Sequence, residues 1–199
     1  MLMGKIRSAH EIAMEKANEI SEKASPEEER RLEIREELKP VLADFYQGEI
    51  DVEGLWRELD GKDQKYLEEA QLLILDSFGL RTTQDEFKKR KEALLGIESL
   101  KDRSRSSAIE QTLNSLRELQ EQHQQQRENL ENQLQQQAQN SDMQMKPVQT
   151  EDGRTVMKLQ SGVDQETRQK YNKAISELEG KSSERFNLFI EDLKDKIKN

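Results

Sequence analysis

The stretch Lys146–Gln160, KPVQTEDGRTVMKLQ, decides how this chain folds back on itself, because it separates two long segments with the pattern of helices. Asp152-Gly153 is a favoured two-residue hairpin turn, since a type I′ turn needs positive φ at both central positions. A turn there predicts a β-hairpin near 145–160. The cross-strand pairs that this turn predicts are Glu151 with Arg154, Thr150 with Thr155, Val148 with Met157, and Lys146 with Leu159.

One face of this predicted hairpin is apolar, and Pro147, which cannot donate to a ladder, marks its strand as an edge. A two-stranded hairpin is marginal in water by itself, so an apolar face needs a surface to pack on. Either the hairpin simply reverses the chain, or it is a recognition or oligomerisation element. For the second case we take the apolar side chains as candidate partner-binding residues: Val148, Val156, Met157 and Leu159.

The segments on both sides of the hairpin predict long helices. No proline occurs in 83–139, and only Gly96 interrupts it, which predicts one helix of roughly 80 Å at 1.5 Å per residue. The second helix begins at 161–164 and runs to Ile197. If the two fold back on each other, Ile109 and Leu113 meet Leu193 and Phe189. In the same register Arg127 lies near Glu179.

Residues before this arm predict several shorter helices. Ser25-Pro-Glu-Glu28 and Thr83-Gln-Asp-Glu86 are capping boxes, and Asp51 can cap a helix that carries Leu55, Trp56 and Leu59. The segment 63–78 is apolar nearly all round at its end, which predicts the buried centre of a small head. Pro40 falls inside a helical pattern, where it should kink or break the helix near Lys39.

The composition agrees with a helical chain. Of 199 residues, 37% are charged, and only 12 are Pro or Gly. High charge with few breakers is typical of long helices flanked by solvent. The predicted fold is therefore all-α, with an acidic helical head over 1–104 and an antiparallel coiled-coil arm over 105–199 that ends in the β-hairpin.

The net charge of −9 is unevenly placed, because residues 1–80 carry all of it and residues 81–199 balance. An acidic head should repel nucleic acid and anionic lipid. The run Lys88-Lys-Arg-Lys91, followed by Lys101, Arg103 and Arg105, allows an alternative, a nucleic-acid- or ribosome-associated factor that uses 88–105. Acidic residues dilute this run, and helical i,i+4 pairs account for most of it.

Few residues could carry chemistry. There is no cysteine, and the two histidines, His10 and His123, do not form a zinc pattern. We interpret His123 as a polar position in the seam of the arm, beside Arg127. No glycine-rich phosphate loop, calcium loop or Glu-x-x-His pair occurs. We therefore expect no enzyme, and no catalytic, cofactor-binding or metal-binding residues.

The start of the chain lacks the apolar core of a signal peptide, and no stretch approaches the roughly 18 apolar residues of a membrane span. A cytoplasmic location is therefore expected.

The opening Gly4–Lys16, GKIRSAHEIAMEK, resembles a group of uncharacterised bacterial proteins that open with Gly-Lys-Ile-Lys/Arg-Ser-Ala-x-Glu-Ile-Ala-x-Glu-Lys. That resemblance implies no activity. More loosely, the order helix–hairpin–helix resembles a β-type prefoldin subunit, although this chain has a sizeable N-terminal head and its longer helix comes before the hairpin.

These patterns predict a non-catalytic structural or adaptor protein, or a chaperone-like one, that acts through its coiled-coil arm and hairpin tip. The polar seam of the arm predicts a protein partner or self-association into a dimer or higher oligomer. Nucleic acid is not the expected partner, and no cofactor is expected.

Overall fold

The computed structural model describes residues 25–141, 145–149, 155–159 and 165–198. Six helices and one pair of strands lie in these ranges. In chain order they are α1 (Pro26–Gln47), α2 (Val52–Leu59), α3 (Gln64–Asp76), α4 (Gln84–Glu98), α5 (Ser106–Ser141), β1 (Met145–Gln149), β2 (Thr155–Leu159) and α6 (Gln165–Lys198).

The predicted helix starts at Ser25, Asp51 and Thr83 are confirmed. Ser25 Oγ accepts from the backbone N–H of Glu28 at 3.3 Å, and the Glu28 carboxylate accepts from the N–H of Ser25 at 2.8 Å. Thr83 begins α4 with the same capping box. Asp51 and Asp63 each accept a first-turn N–H at the starts of α2 and α3. Each cap satisfies amide groups that the first turn of a helix would otherwise leave without a partner.

The short helix α3 lies at the centre of the head, as its sequence predicts. Its neighbours are α1, α4 and the C-terminal part of α6. Glu69, although 4% exposed, is held there by two ion pairs, with Arg31 Nε at 2.5 Å and Arg35 Nε at 2.7 Å. The apolar residues of α3 that are buried are Leu67, Ala70, Leu72, Ile74 and Leu75.

Pro40 does not break α1, so the break that the sequence allowed near Lys39, as one of two outcomes beside a kink, does not occur. The helix continues from Pro26 to Gln47 and ends at Gly48, whose φ of +84° favours glycine. A proline inside a helix costs about 3 kcal/mol. Four buried side chains on one face of α1 offset that cost, since each contributes about 1.5–3 kcal/mol when fully buried. They are Ile34, Leu38, Leu42 and Phe45.

The single helix predicted over 83–139 is also wrong, because the chain turns between α4 and α5. Glu98, the last residue of α4, is 1% exposed. Its Oε1 accepts from the backbone N–H of Arg105 at 2.7 Å, and its Oε2 lies 3.2 Å from Lys101 Nζ. Oε2 also accepts from Gln71 Nε2 of α3 at 3.0 Å, and Lys101 donates to the carbonyl of Ile197 at 2.9 Å. This buried network joins α3, α4, the turn and the end of α6.

The two long helices α5 and α6 pack antiparallel and form the arm. Thr112 Oγ1 donates to Asp192 Oδ2 at 2.9 Å, and Arg127 Nη1 lies 4.0 Å from Glu179 Oε1. The predicted proximity of Arg127 and Glu179 is confirmed. Buried residues on both sides of the predicted boundary at 104/105 belong to one cluster that runs from Ile34 to Ile197. The division into head and arm stays a prediction.

The all-α part of the predicted fold class is confirmed, and its β-hairpin needs a correction. The described helices carry the fold, and no strand is packed among them. The two five-residue strands pair antiparallel only with each other, and their Cα register differs by one residue from the prediction. Val148 is opposite Val156, and Met157 is opposite Pro147. The Asp152-Gly153 turn, on which the predicted register depends, lies outside the described residues.

We expect the Glu98→Leu variant to lose about 3–5 kcal/mol of unfolding free energy, because it leaves the Lys101 ammonium buried without its counter-ion. The double variant Glu98→Leu/Lys101→Met should lose less than Glu98→Leu alone, since no uncompensated charge remains. Urea unfolding followed by circular dichroism measures these differences.

The matched control is Glu53→Leu, which removes a carboxylate paired with Arg57 on the surface of α2. Exposed ion pairs contribute about 0–1 kcal/mol. Equal losses in Glu98→Leu and Glu53→Leu would show that the buried network does not hold the helices together.

Candidate functional site

The candidate partner-binding residues of the sequence analysis have side chains outside the described part of the structure. They are Val148, Val156, Met157 and Leu159. The backbone register separates the predicted pair of Val148 and Met157. Their role as a contact surface stays a prediction.

The burial of the seam between α5 and α6 changes along the arm. On the half next to the head, the seam contains buried side chains from both helices. Beyond His123 on α5 and before Ser182 on α6, none of the side chains described in 124–137 and 165–181 is buried. We call these two ranges the outer arm. The buried apolar residues of the inner half are Ile109, Leu113, Leu116, Leu119, Phe186, Ile190, Leu193 and Ile197.

The seam of the outer arm is a shallow groove rather than a core. The groove has a volume of about 180 Å³ between α5 and α6. Leu130 and Leu134 of α5 line it opposite Tyr171 and Ala174 of α6. All four are only partly buried, so the outer arm keeps apolar surface in contact with solvent.

The basic segment 88–105 is largely engaged inside the protein. Four of its cations bind neighbouring elements, so their charge holds the head together and is not free on one face. The contacts are Lys89 with the carbonyl of Phe45, Arg90 Nη1 with the carbonyl of Ser77 at 2.9 Å, Lys91 Nζ with Glu110 at 2.8 Å, and Lys101 with Glu98 at 3.2 Å.

A larger cleft lies where the loop before α4 meets the middle of α5. Its volume is about 480 Å³, within the range of about 300–1,000 Å³ typical of small-molecule sites. Gln120 Nε2 donates to the carbonyl of Gly79 at 2.6 Å, which fixes the loop against α5. Leu80 and Phe87 provide apolar wall, and three arginines line the cleft: Arg81, Arg117 and Arg127.

Each of these arginines has a carboxylate partner at the protein surface. Arg81 Nη2 lies 2.5 Å from Glu179 Oε1, which brings α6 to the edge of the cleft. Arg117 Nε lies 2.9 Å from Glu121, and Arg127 Nε lies 3.2 Å from Glu131. The side chains of Arg81 and Arg117 are 67% and 52% exposed, so both guanidinium groups remain accessible from solvent.

His123 lines the same cleft and is 4% exposed. Its Nε2 is buried and has no hydrogen-bond partner among the described residues. Burial lowers the pKa of His123, and the charges of Arg127 and Arg81 lower it further, while Glu179 raises it. The neutral imidazole is therefore favoured in the folded chain.

His123 lies in the seam beside Arg127, as predicted. The sequence did not predict the cleft, because Arg81 is far from Arg117 and Arg127 in sequence and is brought to them by tertiary contacts, among them Gln120 with Gly79 and Arg81 with Glu179. The sequence feature that could have indicated this cleft is a histidine beside Arg127 in a glutamine-rich seam.

In the described part of the chain, no group of three or more His, Asp or Glu side chains is placed to hold a metal ion. Among the same residues, no helix is both long enough and apolar enough to cross a membrane.

We expect the wild-type chain to lose stability as pH falls from about 7.5 to about 5.5, across the ordinary histidine pKa of about 6.5. The unfolded chain binds the proton more readily than the folded one, because the folded pKa of His123 is lowered. This loss begins at the unfolded pKa and grows as pH falls towards the folded one. The His123→Leu variant should lack it, and His10→Leu should keep it. Identical pH dependence of urea unfolding in wild type and His123→Leu would contradict the burial of a neutral imidazole.

Comparison with known proteins assigns the chain to a family whose function is not known. A model of a family of unknown function (DUF6657) matches residues 53–199, from the first turn of α2 to the end of the chain. The opening Gly4–Lys16 lies outside this match. No curated protein and no solved structure matches the chain. Because the match covers well over half of its length, the chain belongs to this family of unknown function.

Proposed function

We propose that this protein is a non-catalytic structural or adaptor protein of the cytoplasm that works through its two-helix arm, and that the outer arm associates with a second copy of the chain. The observation that carries the proposal is the change in burial along the arm. The seam is buried as far as His123 and Ser182 and only partly buried beyond them. Surface of this kind is stabilised when another apolar surface covers it.

Charge favours a second copy as the occupant. Residues 25–104 hold 21 acidic and 14 basic residues, a net charge of −7, so two heads repel each other. The outer arm carries a net charge of −1 on α5 over 124–137 and +1 on α6 over 165–181. Two copies can therefore approach through their outer arms while their acidic heads stay apart.

The opposite charges of the two helices also suit a symmetric contact. In a twofold dimer the same surface is used twice, so α5 of one copy packs on α6 of the other and the reverse. Such a contact places the net charge of −1 on α5 of one copy against the net charge of +1 on α6 of the other, and this pairing occurs on both sides of the twofold axis. It also covers the groove between Leu134 and Tyr171 twice, giving a four-helix arrangement of the kind that antiparallel helix pairs commonly form.

A chaperone-like role, which the prefoldin resemblance suggests, is the version of this proposal in which a client covers the groove in place of a second copy. The alternative of a nucleic-acid- or ribosome-associated factor gains no support from the contacts of the basic segment, because Lys89, Arg90, Lys91 and Lys101 are engaged with other parts of the chain. We do not advance it as a second function.

Sedimentation equilibrium of the full chain tests the proposal. We expect a dimer in the wild type and a monomer in Leu134→Glu, because a charge placed in the groove would have to be desolvated on association. The matched control is Leu188→Glu on α6. Leu188 is 71% exposed and does not line the groove, so the dimer should persist.

Circular dichroism checks that each variant keeps its helices. A wild-type chain that stays monomeric at its highest soluble concentration would overturn self-association. Equal weakening of the dimer by Leu134→Glu and Leu188→Glu would place the contact elsewhere.

A further inference from the structure

Beyond self-association, the cleft beside His123 points to a ligand. We propose that it binds a small organic anion, whose carboxylate or phosphate group is held by Arg81 and Arg117 and whose apolar body lies against Leu80 and Phe87. This inference rests on the cleft and its lining, not on the groove between Leu134 and Tyr171, so it stands or fails independently of the proposed dimer.

Charge selects the sign of the ligand. Three arginines line the cleft, and Glu121 is its one carboxylate among the described lining residues. The lining residues themselves are net positive, with three arginines against one carboxylate, while Glu179 and Glu131, the partners of Arg81 and Arg127, lie outside the lining. An anionic group in the cleft can therefore take the place of these carboxylates beside the guanidinium groups.

The guanidinium groups are available for exchange. Arg117 pairs with Glu121 and Arg81 with Glu179, but all four side chains are at least 39% exposed. Exposed ion pairs contribute only about 0–1 kcal/mol, so replacing a protein carboxylate by the anionic group of a ligand costs little. Guanidinium is also the side chain best suited to bidentate contact with carboxylate and phosphate oxygens.

The buried imidazole is a second, independent observation. Buried polar atoms in folded proteins nearly always have a hydrogen-bond partner. His123 Nε2 has none among the described residues, although the side chain is 4% exposed and lines the cleft. Because His123 lines the cleft, a ligand bound there lies next to a ring whose Nε2 has no partner among the described residues.

The apolar wall selects the rest of the ligand. Phe87 is 3% exposed and packs edge-to-face on Phe78, with ring centroids 5.1 Å apart, so the wall is rigid. Together with Leu80 it provides a surface for an aromatic or aliphatic body. An inorganic anion has no such body, so the cleft should prefer benzoate or phenyl phosphate to inorganic phosphate.

The test is an NMR titration of the full-length chain, followed through the ring signals of its two histidines. The probes are benzoate, phenyl phosphate, inorganic phosphate and the uncharged benzyl alcohol. We expect saturable shifts of the His123 signals with benzoate or phenyl phosphate, and weaker effects of the other two. Which of the two organic anions binds more tightly distinguishes a carboxylate ligand from a phosphate ligand.

Variants locate the binding. Arg81→Gln and Arg117→Gln should each weaken binding at least about tenfold, as expected when a charge-assisted hydrogen bond is lost. Arg185→Gln, an exposed arginine of α6 away from the cleft, should leave it unchanged. Absence of saturable shifts with both organic anions, equal binding of benzyl alcohol, or equal effects of Arg81→Gln and Arg185→Gln would overturn the proposal.

Discussion

The carboxylate of Glu98 is the constraint on which the rest of the structure depends. A charge that is 1% exposed is tolerated only when it is paired and hydrogen-bonded. Its partners come from three other places in the chain: Gln71 on α3, Lys101 in the turn and the backbone N–H of Arg105 before α5. Lys101 extends the network to the carbonyl of Ile197 at the end of α6. The same network therefore lies at the end of α4 and the start of α5, and it also binds the C-terminal end of α6.

This constraint explains why the arm has two halves. The inner half shares one buried cluster with α1–α4, because the Glu98 network holds the end of α6 against α3. In the described part of the chain, the Arg81–Glu179 pair and the cleft around His123 connect the outer half to the head. The two helices of the outer half keep a partly exposed seam between them over the described residues. The candidate ligand cleft lies at the junction of the two halves, and the candidate dimer surface lies beyond it.

Features that depend on residues close together in sequence could be predicted, and features that depend on contacts between distant residues could not. Capping boxes at Ser25 and Thr83 and the apolar α3 were predicted because the interactions span only a few residues. The turn at 99–105 was missed because Glu98 and Lys101 resemble solvated helix residues until Gln71 and Ile197 are brought to them. The absence of a break at Pro40 could not be predicted, because the burial that offsets its cost comes from tertiary packing. The hairpin register was wrong because it was inferred from one dipeptide.

The candidate cleft shows the same limit. His123 and Arg127 could be placed side by side from helical spacing, but Arg81 reaches them through a loop that no periodicity predicts. The charge imbalance between the head and the outer arm, by contrast, follows from counting residues and needed no structure.

Native-state hydrogen exchange of wild type and Glu98→Leu tests the central claim most directly. If Glu98 fastens the inner arm to the head, the variant loses protection together in α3, α4, 106–120 and 183–197, while 124–137 and 165–178 keep theirs relative to wild type. Loss of protection confined to residues next to Glu98, or spread evenly along both long helices, would contradict the account.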